Sequence, residues 1–235
     1  MRTVYAIPKN TNSHLETIKE RACSSVVSVA NEVCQAIWPW VEEQGFRPWE
    51  GRSAFMRKRQ DGFHALLISV SPYPEEWWVE VQVGIRLDLV EESAFQFTQG
   101  LQDFHPYSLT AHVPLHVLSG SAYKRFICPP NDWATLRQEV EPALHEHAWP
   151  FFEKYSQLLA LENAYNSDPR SACFLHANRF YRCFRGMVLA KATHQRQMAT
   201  LGQIYADELN RHGAPEQLQV QFQQFGALLI QTSFN

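Results

Sequence analysis

The chain has 235 residues, 21 of them Lys or Arg against 24 Asp or Glu, which gives a formal net charge of −3 with ten histidines uncounted. Apolar residues make up 45% of it and charged ones 19%, with no low-complexity tract, so extensive disorder is excluded. No apolar run approaches the ~20 residues of a membrane span, and the opening MRTVYAIPKNTNSHLE turns polar too early for a secretion signal, so a cytoplasmic protein is expected.

Residues 11–45 read as a long amphipathic helix. Ser13 and Glu16 make a capping box, and Leu15, Ile18, Ala22, Val26, Val29, Val33, Ile37 and Trp40 recur as one apolar stripe. Gly45 supplies a left-handed stop. Residues 46–60 then set Phe46, Trp49, Phe55 and Met56 among basic residues, and Asp61-Gly62 signals a hairpin. An apolar strand over 63–71 is closed by Pro72-Tyr73-Pro74.

The clearest strand follows. Trp77, Val79, Val81, Val83, Ile85, Leu87 and Leu89 alternate with Trp78, Glu80, Gln82, Gly84, Arg86 and Asp88, which predicts one buried face and one wet one. Residues 110–118 repeat the alternation more weakly, with Pro114 confining them to an edge or a bulge, and 122–128 add a fifth strand. From Asn131 the helical period returns, with Pro142 and Pro150 dividing 132–163. Asp168-Pro169 opens a helix through about 184, residues 187–212 form another, and Pro215 opens a last short one through Phe225.

This order predicts an α+β protein: a long N-terminal helix, an antiparallel sheet of four to five strands, and C-terminal helices packed on one face. Residues 1–163 are expected as the α+β domain and 164–235 as a helical extension packed on it as one unit.

The standard catalytic spacings are absent: no GxSxG, GxxxxGK[ST], GxGxxG or HExxH occurs. Five cysteines in a chain without a secretion signal read as reduced, buried thiols. Cys173, His176 and Cys183 would share one helix face but lack a fourth ligand, so neither a metal nor another cofactor is expected. His112 and His116 fall on one predicted strand, ~13 Å apart; with His105 they are candidates to line a cleft, although exposed edge-strand histidines would serve equally well to discourage strand addition.

Charge is distributed unevenly. Arg47, Arg52, Arg57, Lys58 and Arg59 face only Glu50, whereas Glu75, Glu76, Glu80, Asp88, Glu91 and Glu92 face only Arg86. Between Pro169 and Ala206 there is no acidic residue, but Arg170, Arg179, Arg182, Arg185, Lys191 and Arg196 occur. The net negative charge argues against nucleic acid as the partner, and complementation between basic helices and acidic sheet is the plainer account. On the wet face of the long strand, Trp78, Glu80, Gln82, Arg86 and Asp88 form the candidate binding row, because Trp and Arg dominate binding hot spots. The competing account has later helices covering that face.

The segments Gly45-Phe46-Arg47, Phe55-Met56-Arg57, Val79-Glu80-Val81-Gln82-Val83-Gly84-Ile85 and His147-Ala148-Trp149-Pro150-Phe151-Phe152 resemble the DUF4304-type uncharacterised bacterial proteins over roughly residues 30–163. The resemblance implies a fold, brings no site residue with it, and extends to members whose surroundings point to immunity against toxins. The resulting expectation is a non-enzymatic bacterial protein-interaction module, immunity-like, that binds a basic protein partner and neither membrane nor nucleic acid. The alternative is an enzyme with a His/carboxylate-lined cleft between sheet and helices.

Overall fold

The computed structural model describes residues 28–98, 102–121 and 125–231. The Ser13–Glu16 capping box, the stripe from Leu15 to Val26 and the start of the 122–128 strand lie outside them. A helix, α1, occupies 28–42, and Gly45 follows at φ 78. Its buried stripe is Ala30, Val33, Ile37 and Val41, with Val29 and Trp40 packed at the flanks.

Among the described residues six antiparallel strands follow in one sheet: β1 (Arg47–Pro48), β2 (Ala54–Arg59), β3 (Gly62–Pro72), β4 (Trp77–Leu87), β5 (Ala111–Pro114) and β6 (Phe126–Cys128). The order is β1-β2-β3-β4-β5, and β6 pairs with the first residues of β4. Gly62 closes the β2–β3 hairpin at φ 145, where an added Cβ would stand 2.1 Å from the Arg86 carbonyl oxygen, so only glycine fits. The inward row of β4 is buried throughout, and ring contacts join the sheet to the helices: Trp77 of β4 packs on Trp133, Phe55 of β2 on Trp38, and His64 of β3 on Phe152.

The helices are α2 (Asp88–Thr98), α3 (Leu115–Ser119), α4 (Trp133–Ala143), α5 (Trp149–Tyr155), α6 (Leu158–Asn166), α7 (Arg179–Thr193), α8 (Met198–Arg211) and α9 (Glu216–Gln231), with a 3-10 helix at Gln102–Tyr107 and a π turn at Leu144–Ala148. Asp132 caps α4 by accepting from the Thr135 amide at 3.0 Å. A single continuous apolar core runs from Ala30 to Leu229.

Several elements differ from the sequence expectation. The long strand stops at Leu87; Asp88 and Glu91 occupy the first turn of α2, where carboxylates suit the helix dipole, and Leu89 is exposed. The 110–118 strand ends at Pro114, after which α3 forms and Gly120 stops it at φ 66. Asp168-Pro169 opens no helix: the Asp168 carboxylate accepts from Ser171 Oγ and the Arg170 amide in a local turn, while Arg182 donates to the carbonyls of Tyr165, Asp168 and Ser171 and holds the loop irregular. Asn178 caps α7 instead, accepting from the Phe180 and Tyr181 amides. His194, at φ 55, separates α7 from α8 inside the predicted 187–212 helix. The last helix outlasts Phe225 because Leu229 continues its buried stripe.

Candidate functional site

Register places the outward row of β4 beside its neighbours. Trp78 pairs with Ser71 and Ile127, Glu80 with Ser69, and Gln82 with Leu67 and Pro114. Directly paired residues point to the same face. Trp78, Glu80 and Gln82 are half-buried, Ser69 is exposed, and Tyr73 and Ile127 are 46% and 42% exposed, large values for apolar side chains. The Trp78 indole is held on three sides: its Nε1–H donates to Glu76 at 2.6 Å, Tyr73 packs at 5.0 Å, and the Arg125 guanidinium sits 5.5 Å above the ring. Gln82 donates to Glu80 at 2.6 Å and meets His112 Nε2 through its own amide oxygen.

The other half of the row is covered, by the 102–110 segment and by the start of α2. Arg86 is 3% exposed and donates to the His105 carbonyl, to Ser108, to Asp88 and to Glu92. Leu109 lies over Gly84, so closely that a Cβ there would approach it at 2.5 Å. Arg86 is therefore an anchor for the 102–110 segment, and Asp88 belongs to α2.

The three candidate cleft histidines are dispersed. His105 stacks on Phe95 at 3.7 Å and bonds Glu92 at 2.8 Å; His112 is on the sheet face with Gln82; His116 is on α3, lining a separate ≈ 440 Å³ cavity with Arg125 and Glu139. What a search by spacing misses are two clusters built by tertiary contact. In the first, His64 on β3 meets Ser156 beyond α5, Nε2 to Oγ at 2.7 Å, and accepts from Arg57 at Nδ1, 2.8 Å away. Burial and the flanking Arg57 and Arg59 charges push this imidazole down to about 3. In the second, Arg185 grips Glu91 with two 2.7 Å bonds and also donates to His176, while Thr110 donates to Glu91. Burial alone would raise the Glu91 carboxyl, but the Arg185 charge and hydrogen bonds hold it below the usual carboxylate range. Burial, then Arg185, pushes His176 to about 3. This pair floors a ≈ 280 Å³ cavity whose walls include Phe95, Phe104, His105 and Tyr181.

The basic segment is largely consumed inside the protein. Arg182 clasps the 165–171 turn, Arg185 takes Glu91, Arg196 donates to Glu162 at 2.9 Å, and Arg179 lies 2.8 Å from His212. Cys173, His176 and Cys183 do not share a helix face: the first two are in the irregular 167–178 loop, and each sulfur contacts a backbone carbonyl. Burial pushes Cys34 up to about 11 and Cys183 up to about 12, which disfavours a thiolate at either site. Among the described residues no group of three or more His, Cys, Asp or Glu side chains could hold a metal, and no helix is long and apolar enough to cross a membrane. No family model, curated protein or solved structure matches the chain.

Proposed function

We propose that this protein is a protein-interaction module that binds through the open half of its sheet, with helices on the opposite face as the rigid support. The observation that carries the reading is Trp78: a large aromatic, fixed by Glu76, Tyr73 and Arg125, yet left partly open beside exposed Tyr73 and Ile127. A pre-ordered Trp/Tyr/Arg cluster loses little side-chain entropy on binding, which is what a hot spot requires. Glu75, Glu76 and Glu80 give the rim a negative sign suited to a basic protein partner. Occlusion of such a partner, in a bacterial cytoplasm, is the immunity-like role that the likeness to DUF4304-type proteins implies.

The cavity above Glu91 and Arg185 favours the second reading, an enzyme with a His/carboxylate-lined cleft. Its groups are already committed, however. Glu91 is bonded by Arg185 and Thr110, and His105 Nε2 by Glu92, so among the described residues neither group stands free as a base for a substrate.

A photo-crosslinking residue in place of Ser69 tests the proposal in the native host. The expected result is one discrete protein adduct, lost when Trp78→Ala is added while the thermal melt shifts only slightly. Absence of any adduct, or an adduct indifferent to Trp78→Ala, would overturn the open-face reading.

A further inference from the structure

Three aromatic side chains wall the ≈ 280 Å³ cavity above Glu91 and Arg185: Phe95 of α2, Phe104 of the 102–110 segment and Tyr181 of α7. Phe95 already stacks on the His105 ring, 3.7 Å away and 20° from parallel. Phe104 is 60% exposed and packs on no other ring among the described residues, so its face is open to a guest. The polar groups of the cavity are only partly used. Arg185 commits three of its five N–H groups to Glu91 and His176, which leaves two for an acceptor. Tyr181, whose ring lies 5.9 Å from that guanidinium, has a hydroxyl with no hydrogen-bond partner among the described residues. Glu92 can only accept, so its 2.8 Å contact takes the proton on His105 Nε2 and leaves Nδ1 of the neutral ring as an acceptor.

We propose that this cavity binds a small, neutral, planar heteroaromatic molecule with a lactam edge, of the free nucleobase kind. Volume sets the size. At ~30 Å³ per water the ≈ 280 Å³ space holds about nine waters, which is room for one or two fused rings and leaves a sugar or phosphate outside. Charge sets the sign. Arg185 is matched by Glu91 and His105 by Glu92, so an anion meets no cation without its own carboxylate, and exposed Glu92 repels a phosphate. A cation would meet Arg185 on the floor. Hydrogen bonding sets the edge: a ring carbonyl accepts from Arg185 and Tyr181, and a ring N–H donates to His105 Nδ1. Phe104 then stacks on the ring, a contact that any flat π-face can make.

Saturation-transfer NMR titrations on the full chain test this with hypoxanthine, indole and inosine 5′-monophosphate. Indole matches the two-ring size but has no acceptor for Arg185 or Tyr181, and the monophosphate brings the charge that Glu92 opposes. Hypoxanthine should saturate with a Kd below ~1 mM, and each of the others should bind ~10-fold more weakly or worse. Tyr181→Phe removes only an unbonded hydroxyl and should weaken hypoxanthine roughly fivefold. Phe104→Ala removes an exposed ring and should weaken it ~10-fold. Both variants are expected to melt like the parent. No saturable binding of hypoxanthine at millimolar concentration, indole binding as tightly, or hypoxanthine binding indifferent to either variant would overturn the inference. A monophosphate that binds more tightly than the base would overturn the assignment of a neutral ligand.

Discussion

His64 and Ser156, 92 residues apart in sequence, meet at 2.7 Å between Nε2 and Oγ, the approach of a base to a serine nucleophile. The protonation pattern runs the other way. Arg57 and Arg59 can only donate; Arg57 is the closer, 2.8 Å from Nδ1 against 3.4 Å for Arg59 from Nε2, so Nδ1 of His64 accepts and the proton of the neutral ring sits on Nε2, aimed at Ser156 Oγ 2.7 Å away. Ser156 in turn donates to the Phe152 carbonyl. The pair is a buried structural link between β3 and α5, and a fluorophosphonate probe should leave Ser156 unlabelled. Ser156→Ala should lower stability by ~1–3 kcal/mol, since it strands a buried N–H. Mass-spectrometric detection of a phosphonylated Ser156 would show that the tautomer is wrong.

The same histidine sets an acid limb to stability. Its folded-state value of about 3 lies below the ~6.5 of an unfolded chain, so the unfolded state takes up the proton first. The His64 contribution is complete above pH ~6.5 and is lost as pH falls toward 3, at no more than ~1.4 kcal/mol per pH unit. His176, shifted in the same direction by burial and Arg185, adds to the slope. Urea denaturation between pH 7 and 4 should show stability falling, and a His64→Gln variant should show a shallower fall whatever its stability at pH 7. An unchanged slope would mean that His64 is charged in the folded protein.

Glu91 and Arg185 make a buried pair with side chains 3% and 11% exposed, joining α2 to α7. Removing one member strands the other, so Glu91→Leu or Arg185→Leu should each lower stability by ~3–5 kcal/mol. The double variant Glu91→Leu, Arg185→Leu should lose far less than the sum, because no uncompensated charge remains. Additive losses in such a cycle would show that the two groups do not interact as their geometry indicates.

Alternation made β4 readable, and it separated adjacent tryptophans correctly: Trp77 is 6% exposed against Trp133, whereas Trp78 is half-buried on the opposite face. Period alone failed where a distant residue decides the backbone. Nothing local to Asp168-Pro169 reveals that Arg182 will take its carbonyls and postpone the helix to Arg179. The burial of Arg86 was equally hidden, since the loop whose His105 and Ser108 receive its guanidinium arrives 19 to 22 residues later.

Gly186 offers the sharpest test of the helical packing. Glycine inside a helix is ordinarily a weakness, and alanine in its place should add about 1 kcal/mol. Here α6 and α8 close on α7 at that residue. An added Cβ would stand 2.4 Å from the Tyr205 hydroxyl and 2.7 Å from Asn166 Oδ1. Neither group can step aside at little expense, because Tyr205 donates to Asn166 at 2.6 Å and Asn166 donates to the Gly186 carbonyl at 2.9 Å, all of it buried. Overpacking of this kind typically destabilises by ~1–3 kcal/mol, which exceeds the propensity gain. Gly186→Ala should therefore melt lower than the parent, while the exposed Gly213→Ala, strained at φ 67 but with nothing within 4 Å, should leave α6, α7 and α8 intact. A Gly186→Ala protein that melts higher than the parent would mean that α7 stands further from Tyr205 than this packing allows.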